Sequence, residues 1–279
     1  MNFWKTYLSH LKTLIKRNIL GIDGIGNTLC LRKTLWMNFK CLKFSTAKAF
    51  PIWVYRHTKL NSLGSIVIDC DKIESGMIKI GSFGNAGRLS TIIENHGCIT
   101  FKGSTSIFRG CYIHNTGNIT FDGQNRLSES CTLKITEYLH MGKMSRFGSE
   151  TYAIDTDFHF AIDVNTGNIK RNSKGISIGE YNWFGTKSFI KKGTKTGFGF
   201  VIAAPNTVLT KDYSTLENYT ILGGNPAKPI GQGLLRIFNT SEEQQLLSYF
   251  KSHLKEHTIT KDISDLNMFD FCGNGEILK

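Results

Sequence analysis

Apolar residues recur along the middle of the chain with a period that fits neither an α-helix nor a simple strand. Pairs of apolar residues separated by one position return at intervals of 21, 20 and 20 residues, at Ile78/Ile80, Ile99/Phe101, Ile119/Phe121 and Leu139/Met141. Ile176/Ile178 follows 37 residues later, which is one interval plus an insertion. A repeat of this length is typical of a solenoid, in which each repeat is one coil.

A finer period of six residues runs inside these coils. The three runs are Ile107, Ile113, Ile119; Phe121, Leu127, Leu133, Leu139; and Ile178, Phe184, Ile190, Thr196, Ile202, Val208. We interpret each step as one short strand on one face of a triangular coil, with the apolar residue pointing into the core. Like residues then stack on like, so Cys111 and Cys131 are expected at equivalent corners. The predicted fold class is an all-β solenoid, a parallel β-helix.

The two ends of the chain predict caps on this solenoid. Residues 1–63 are predicted as a basic helical or extended cap, residues 64–232 as the β-helix, and residues 233–279 as a C-terminal helical cap. Apolar residues over 3–20 form one helical face, which either lies on a membrane or packs against the first coil or a neighbouring subunit. Thr240-Ser-Glu-Glu243 is a capping-box pattern that predicts the start of a helix with one apolar side, at Leu246, Leu247, Phe250 and Leu254.

Composition and charge narrow the class of protein. The chain has 279 residues, of which 40% are hydrophobic and 20% charged, and this excludes a disordered chain. Because no apolar run approaches the length of a membrane span and no secretory signal is present, we expect a cytoplasmic protein. Seven cysteines without a CxxC pair favour free thiols in a reducing compartment.

The net charge of +12 is unevenly distributed, since residues 1–60 contain eleven basic residues and one acidic residue. Two interpretations stay open for this basic segment. It contacts an anionic partner, such as the inner face of a membrane, or it forms a solvated surface. No nucleic-acid partner is expected.

Residues 155–175 interrupt the six-residue rhythm and are predicted to form an active-site loop. The segment contains His159, which Asp155, Asp157 and Asp163 flank. A histidine can accept a proton near neutral pH, and a neighbouring carboxylate can orient its ring. His159 is therefore the candidate general base and Asp157 its first candidate partner, with Asp155 and Asp163 as alternatives. The competing interpretation is a structural histidine in a polar turn.

Three further histidines, His96, His114 and His140, follow one another at spacings of 18 and 26 residues. A zinc site would require all three to converge on one groove, and no local pair of ligands supports it. We expect no bound metal.

Seven short motifs occur in the second half of the chain: Asp157-Phe-His159, Lys174-Gly-Ile-Ser-Ile-Gly179, Asn182-Trp-Phe-Gly185, Lys192-Gly193, Ala203-Ala204, Val208-Leu-Thr-Lys-Asp212 and Gly223-Gly-Asn-Pro-Ala-Lys228. Together they resemble the left-handed β-helix (hexapeptide-repeat) acyltransferases, and most of all those that acetylate capsule and O-antigen polysaccharides. The resemblance is strong over 135–232 and weaker over 64–134.

This resemblance implies a homotrimer that binds acetyl-CoA between neighbouring subunits and transfers the acetyl group without a covalent enzyme intermediate. It implies that His159 is the general base and that Trp183 lies at the reacting centre. The residues implied to contact acetyl-CoA are Trp183, Gly185, Ala203, Ala204, Lys211 and Lys228. Thr186 and Pro205 depart from the family pattern, and both departures affect contacts to the cofactor.

We therefore predict an acetyl-CoA-dependent O-acetyltransferase that modifies a hydroxyl of a bacterial surface polysaccharide. The basic residues Lys170, Arg171 and Lys174 favour an anionic glycan as the acceptor. Two alternatives stay open: an N-acetyltransferase for an amino-sugar nucleotide, and a non-catalytic solenoid that serves as a scaffold.

Overall fold

Three parallel sheets, wound one after another, form the body of the protein in this computed structural model. The structure describes residues 8–12, 15, 28–82, 89–262 and 271–273. Each coil contributes one strand to each sheet, so a strand pairs with the corresponding strand of the next coil and not with its neighbour in sequence. No single coil satisfies its own backbone groups, and the fold is therefore stable only as a stack.

The strands are, in chain order, β1 (Ile52–Val54), β2 (Thr58–Ser62), β3 (Ser65–Ile68), β4 (Ile78–Ser82), β5 (Thr91–Asn95), β6 (Cys98–Phe101), β7 (Thr105–Phe108), β8 (Tyr112–Asn115), β9 (Asn118–Phe121), β10 (Asn125–Leu127), β11 (Thr132–Ile135), β12 (Tyr138–Met141), β13 (Arg146–Phe147), β14 (Tyr152–Ile154), β15 (Ile176–Ile178), β16 (Trp183–Phe184), β17 (Phe189–Lys191), β18 (Val201–Ile202), β19 (Val208–Leu209), β20 (Thr220–Gly223) and β21 (Lys228–Gln232).

The first sheet contains β1, β4, β7, β10, β13, β16, β18 and β20, with β21 antiparallel at its end. The second contains β2, β5, β8, β11, β14, β17 and β19, and the third contains β3, β6, β9, β12 and β15. Single bridges from Ser177 to Lys195 and from Lys195 to Asp212 continue the third sheet. The predicted all-β solenoid, a left-handed parallel β-helix followed by a C-terminal helix, is confirmed.

Inward-facing side chains fill the core at positions that the six-residue period indicated. Ile178, Phe184 and Ile190 are fully buried, and Ile202 is 1% exposed. The last step of the run is wrong, because Leu209 and not Val208 takes the inward position. Seven positions separate Ile202 from Leu209, whereas six separate Phe184 from Ile190 in the coil below. One extra residue in the corner between β18 and β19 thus shifts the phase.

Two of the buried thiols stack at one corner, as predicted. Cys111 and Cys131 are fully buried and lie at equivalent positions immediately before β8 and β11. Burial and the neighbouring Cys131 raise the pKa of the Cys111 thiol. All seven cysteines are free thiols.

The stacked strands begin at β1, inside the segment that the sequence assigned to the N-terminal cap (1–63). Helix α1 (Leu31–Cys41) covers the first strand, and α2 (Phe44–Ala47) follows it. The buried side chains of Thr34 and Asn38 hydrogen-bond to the backbone of β1, including Asn38 Nδ2 to the carbonyl of Ile52 at 2.7 Å. β1 is an edge strand, because no earlier coil pairs with it. These bonds satisfy the backbone N–H and C=O groups that it would otherwise leave without partners.

The helix predicted over residues 3–20 lies partly outside the described residues. Residues 8–12 and 15 are helical, and Leu11 packs against the buried cluster of Leu29, Phe50, Trp53 and Tyr55. Leu8 and Ile15 are exposed. Within the described ranges, no helix has the length and apolar character needed to cross a membrane.

At the other end, helix α3 (Thr240–Ser252) begins near the predicted position but with a different cap. The side chain of Asn239, and not that of Thr240, accepts the N–H groups of Ser241 and Glu242, at 3.0 and 3.4 Å. None of the residues of α3 is buried, and Leu247 and Leu254 are exposed. The predicted apolar side of this helix is therefore only partly covered.

Candidate active site

Residues 155–175 form an arm that leaves the β-helix at the corner between β14 and β15. Its two limbs pair in antiparallel fashion through bridges from Thr156 to Ser173 and from Ile162 to Ile169. At the tip, the carboxylate of Asp163 accepts the N–H groups of Asn165 and Thr166, at 2.9 and 3.0 Å. These hydrogen bonds make a tight turn and lower the pKa of Asp163. The insertion that breaks the sequence period is thus a hairpin with its own hydrogen bonds.

A buried carboxylate anchors the first residue of the arm. Asp155 is fully buried, and its two oxygens accept the N–H groups of Thr136, Glu137 and Tyr138 at 2.7, 2.7 and 3.1 Å. Burial raises the pKa of Asp155, and the three N–H donors partly offset that effect. Asp155 therefore holds the arm to the coil below, and its carboxylate is occupied.

Ion pairs on the two limbs hold the root of the arm. Asp157 pairs with Lys192, whose Nζ also donates to the carbonyl of Asn172 at 3.3 Å. On the returning limb, the Glu137 carboxylate accepts from Arg171 Nε at 2.9 Å and from Ser173 Oγ at 2.7 Å. These contacts fix the direction in which the arm leaves the β-helix.

The His159 side chain is exposed on the outgoing limb of this arm. Its backbone N–H donates to the carbonyl of Asp157 at 2.7 Å, directly after Phe158, which has a left-handed φ of 61°. The ring lines a concavity of about 500 Å³ together with Lys170, Arg171 and Lys192. In the described part of the chain, no hydrogen bond or ion pair involves the His159 ring.

Each of the three carboxylates proposed as a partner of His159 is engaged elsewhere. Asp155 binds backbone N–H groups, Asp157 binds Lys192, and Asp163 closes the turn at the tip. The sequence could not distinguish these partners, because they depend on residues up to 35 positions away. In a single chain, the imidazole is free to meet a substrate.

The residues predicted to contact acetyl-CoA lie at other corners of the β-helix. Trp183 is half-exposed on the outer face of β16, and Gly185, Ala203 and Ala204 lie at the corner that follows the first sheet. A Cβ at Gly185 would lie 2.6 Å from the Cβ of Ala204 and 2.8 Å from its nitrogen. Glycine at 185 therefore lets the two coils approach closely at this corner.

Lys211 and Lys228, the two lysines predicted to contact acetyl-CoA, are exposed but lie at different corners. Lys228 pairs with Gly223 at the same corner as Ala203, since the N–H of Ala203 donates to Leu222. Lys211 follows β19, at the corner after the second sheet. The arm leaves the β-helix at the same corner, two coils earlier. The Nζ atom of Lys211 lies 5.6 Å from the centre of the Tyr213 ring. The structure thus groups Trp183, Gly185, Ala203, Ala204 and Lys228 along one edge, and His159 with Lys211 along another.

One contact to the predicted site came from a part of the chain without any recognised motif. The guanidinium of Arg236 lies 5.1 Å from the centre of the Trp183 ring and 5.3 Å from that of Phe238. The segment after β21 therefore crosses the first sheet beside Trp183. No sequence signal linked Arg236 to Trp183, because the contact depends on how this segment folds back.

The three histidines considered for zinc do not converge. The rings of His96 and His114 lie 6.1 Å apart, but His140 is on the third sheet, where it bonds to Asp122. Across the described ranges, no group of three or more His, Cys, Asp or Glu side chains is placed to hold a metal ion.

The Glu94 carboxylate beside His114 predicts an acid-sensitive contribution to stability. Hydrogen bonds from Tyr112 at 2.6 Å, Asn61 at 2.8 Å and His114 at 3.4 Å lower its pKa from 4.5 to about 2. Since the pKa is lowered on folding, this contribution is present above pH 4.5 and is lost as the pH falls toward 2. We expect Glu94→Gln to lower the urea midpoint at pH 7 and to lower it by a smaller amount near pH 2.5.

The matched control for Glu94→Gln is Glu74→Gln, which removes an exposed ion pair with Lys72. We expect this control to have a small effect at both pH values. A Glu94→Gln effect of equal size at the two pH values would contradict the assignment.

Comparison with known proteins finds similar solved structures at low sequence identity. The polySia-specific acetyltransferase NeuO is 22% identical over 71% of this chain and 99% of its own, with a TM-score of 0.38. The polysialic acid O-acetyltransferase OatWY is 19% identical over 70% of this chain and 96% of its own, with a TM-score of 0.34. AntD, an N-acyltransferase from Bacillus cereus solved with dTDP and 3-hydroxybutyryl-CoA, is 13% identical over 74% and 89%, with a TM-score of 0.41.

No protein-family model and no curated protein matches the sequence. The assignment of an activity therefore rests on the residues of this chain.

Proposed function

We propose that this protein is an acetyl-CoA-dependent O-acetyltransferase that modifies a hydroxyl of a surface polysaccharide. The observation that carries the proposal is the position of His159. Its ring is exposed on an arm with a fixed root, has no partner in the described part of the chain, and faces a concavity of about 500 Å³. An imidazole so placed can act as a base on an incoming substrate.

In the proposed reaction, His159 accepts the proton of the acceptor hydroxyl while the hydroxyl oxygen attacks a thioester carbonyl. Acetyl-CoA supplies the acetyl group as that thioester. As the carbon–sulfur bond breaks, the protonated His159 returns the proton to the departing sulfur, so that the products are an acetyl ester and a free thiol. Because the acceptor attacks directly, no cysteine or serine nucleophile is required.

Lys170, Arg171 and Lys192 line the same concavity as His159. Arg171 pairs with Glu137 and Lys192 pairs with Asp157, so Lys170 is the cation of this set that no ion pair among the described residues engages, and its charge favours an anionic acceptor. Asp157 neutralises Lys192 and so acts on the site through that cation. We assign Asp157 a positioning role.

The edge with Gly185 suits the extended pantetheine chain of an acyl-CoA. Ala204 is exposed, and its backbone N–H has no partner among the described residues, so it can donate to an amide carbonyl of the pantetheine. Gly185 packs directly against Ala204 at this corner, because a Cβ at position 185 would lie 2.8 Å from the Ala204 nitrogen. Lys228 lies near the same corner, where a cation can meet the nucleotide phosphates.

A second copy of the chain completes the proposed site. The edge with His159 and the edge with Gly185 flank the second sheet, whose face of about six residues is about 20 Å wide at a rise of about 3.3 Å per residue. Reacting groups must approach to about 3–3.5 Å. We therefore propose that the arm of one subunit meets the Trp183 edge of the next in a homotrimer, a closed ring in which every arm meets a neighbour.

The exposed apolar side chains of the arm support this assembly. Five of them point to solvent in the single chain: Phe158, Phe160, Ile162, Val164 and Ile169. Exposed clusters of this kind mark contact surfaces, and a neighbouring subunit would cover them.

A screen of acceptors tests the proposed function. The purified protein is incubated with acetyl-CoA and either an acidic polysaccharide, a neutral polysaccharide or an amino-sugar nucleotide, and the released thiol is measured. We expect thiol release to depend on the acidic polysaccharide and the product to lose its acetyl group in mild alkali, as an ester does. An alkali-stable product on the amino sugar would instead establish N-acetylation. Absence of acetyl-CoA binding in calorimetry would contradict the proposal and favour the non-catalytic solenoid.

A further inference from the structure

Two arginines on the outer face of the first sheet have no carboxylate partner among the described residues, although each guanidinium lies over an aromatic ring, Phe108 for Arg126 and Phe238 for Arg146. Arg126 on β10 and Arg146 on β13 lie in register on adjacent strands. Arg146 is only 7% exposed, and the Nε atoms of both residues are buried without a hydrogen-bond partner. Among the described residues, neither guanidinium forms an ion pair.

Neighbouring positive charges surround Arg146. Burial, followed by repulsion from Arg126 and Arg236, lowers the pKa of Arg146 to about 9, and attraction to the Glu243 carboxylate offsets only part of this effect. Arg236 has a counterion, since its Nη2 lies 3.5 Å from the Glu243 carboxylate. A buried cation without an ion-pair partner is costly, and charged groups with strongly shifted pKa values cluster at functional sites.

Both arginines line a concavity of about 990 Å³ that runs along the lower coils. Lys79 and Lys143 add positive charge to its wall, and Ser106 and Gln124 add polar groups. The Oε1 atom of Gln124 is also buried without a partner. Of the acidic residues in the wall, Glu74 already pairs with Lys72, and Asp71 is exposed. The concavity therefore offers donors, an acceptor and excess positive charge, which suit an acidic saccharide.

The concavity adjoins the proposed reaction centre. Arg146 pairs in register with Trp183 on the next strand, so the arginines continue the outer face of the first sheet from Trp183 toward the earlier coils. Adjacent strands lie about 4.8 Å apart. The concavity and Trp183 thus lie on the same sheet face, where Phe238 covers the guanidinium of Arg146 and Arg236 lies over the Trp183 ring.

We infer that Arg126 and Arg146 form an acceptor subsite that binds a carboxylate of an acidic oligosaccharide. A guanidinium can pair with a carboxylate through two parallel N–H donors, which fixes the orientation of the sugar as well as its position. This inference rests on the proposed function for the identity of the ligand as acceptor, and it deepens that function by naming the residues that bind the carboxylate of the acceptor.

The test is equilibrium binding of a sialic acid oligomer and of a galacturonic acid oligomer, each beside its carboxyl-reduced counterpart. We expect the acidic oligomers to bind and the reduced ones to bind at least tenfold more weakly. Arg126→Gln and Arg146→Met are each expected to weaken binding of the acidic oligomers at least tenfold. The control Arg32→Gln, at an exposed arginine on α1, is expected to have no effect. Equal binding of acidic and reduced oligomers, or unchanged affinity in Arg126→Gln, would overturn the inference.

Thermal stability distinguishes a ligand-binding arginine from a structural one. Because Arg146 is buried without a counterion, Arg146→Met is expected to raise the Tm by about 2–4 °C while it weakens saccharide binding. A structural arginine would give the opposite sign. Should Arg146→Met not fold, the half-buried Arg126 still provides the binding test.

Acetyl-CoA binding, measured on the same preparations, separates this inference from the proposed function. A protein that binds the acidic oligomers through Arg126 and Arg146 but does not bind acetyl-CoA has the saccharide subsite without the transferase activity. A protein that binds acetyl-CoA and transfers acetyl groups only to neutral saccharides has the activity without this subsite.

Discussion

Replacing His159 with glutamine is expected to lower kcat for acetyl transfer by about 10²–10⁴-fold, the usual contribution of a general base. Glutamine retains the polarity and approximate size of the side chain but cannot accept a proton. Because His159 is exposed and its ring makes no hydrogen bond in the described structure, the substitution should leave the fold intact. Thiol release under saturating acetyl-CoA and acceptor measures the effect, and calorimetry measures the affinity for acetyl-CoA, which should stay near that of the parent.

The control for this substitution is His257→Gln, at an exposed histidine after α3. We expect that control to keep the parent rate. A His159→Gln enzyme with a near-normal kcat would remove His159 from the chemistry. A variant that lost acetyl-CoA affinity but kept kcat would assign it to binding.

Mixing two inactive variants is expected to restore activity if the site is shared between subunits. His159→Gln inactivates the arm, and Ala204→Trp blocks the opposite edge with a bulky side chain at an exposed position. In a trimer assembled at random from the two, each site takes its arm from one chain and its edge from the next. About a quarter of the sites then have both parts intact. Co-expression of the two chains with different tags, purification of mixed assemblies and measurement of thiol release give the result.

The matched control for the mixing experiment combines His159→Gln with His159→Asn. Both changes affect the same edge, so no intact site can form and no activity should return. Mixed assemblies of His159→Gln and Ala204→Trp that stay inactive would show that one chain supplies both edges.

The positions of the core residues could be predicted because the fold repeats. The positions of Phe184 and Ile190 recur in every coil with the same buried environment. The period of these positions therefore indicates the whole core. The same argument located His159, since an insertion into a stacked coil must leave the stack. The period failed at Val208, where a single extra corner residue moved Leu209 inward, because corner length depends on local backbone geometry.

Which side chains meet could not be predicted in the same way. Asp155, Asp157 and Asp163 look equivalent beside His159 in the sequence, but the direction of each side chain sends them to three different partners. The burial of Arg146 depends on Phe238, which comes from the segment after the β-helix and covers the guanidinium at 5.4 Å. No short-range pattern encodes such a contact.

The sequence by itself determined the triangular solenoid and the single break that contains His159. The repeat of apolar positions from coil to coil indicates the solenoid, and the interruption of that repeat indicates the break. Only the tertiary structure decided that the His159 edge and the Trp183 edge are separated by a whole sheet, and that the buried Arg146 and the half-buried Arg126 have no ion-pair partner among the described residues. Those features arise where distant segments fold over one another. Each of them depends on contacts between residues that the chain brings together only when it is folded.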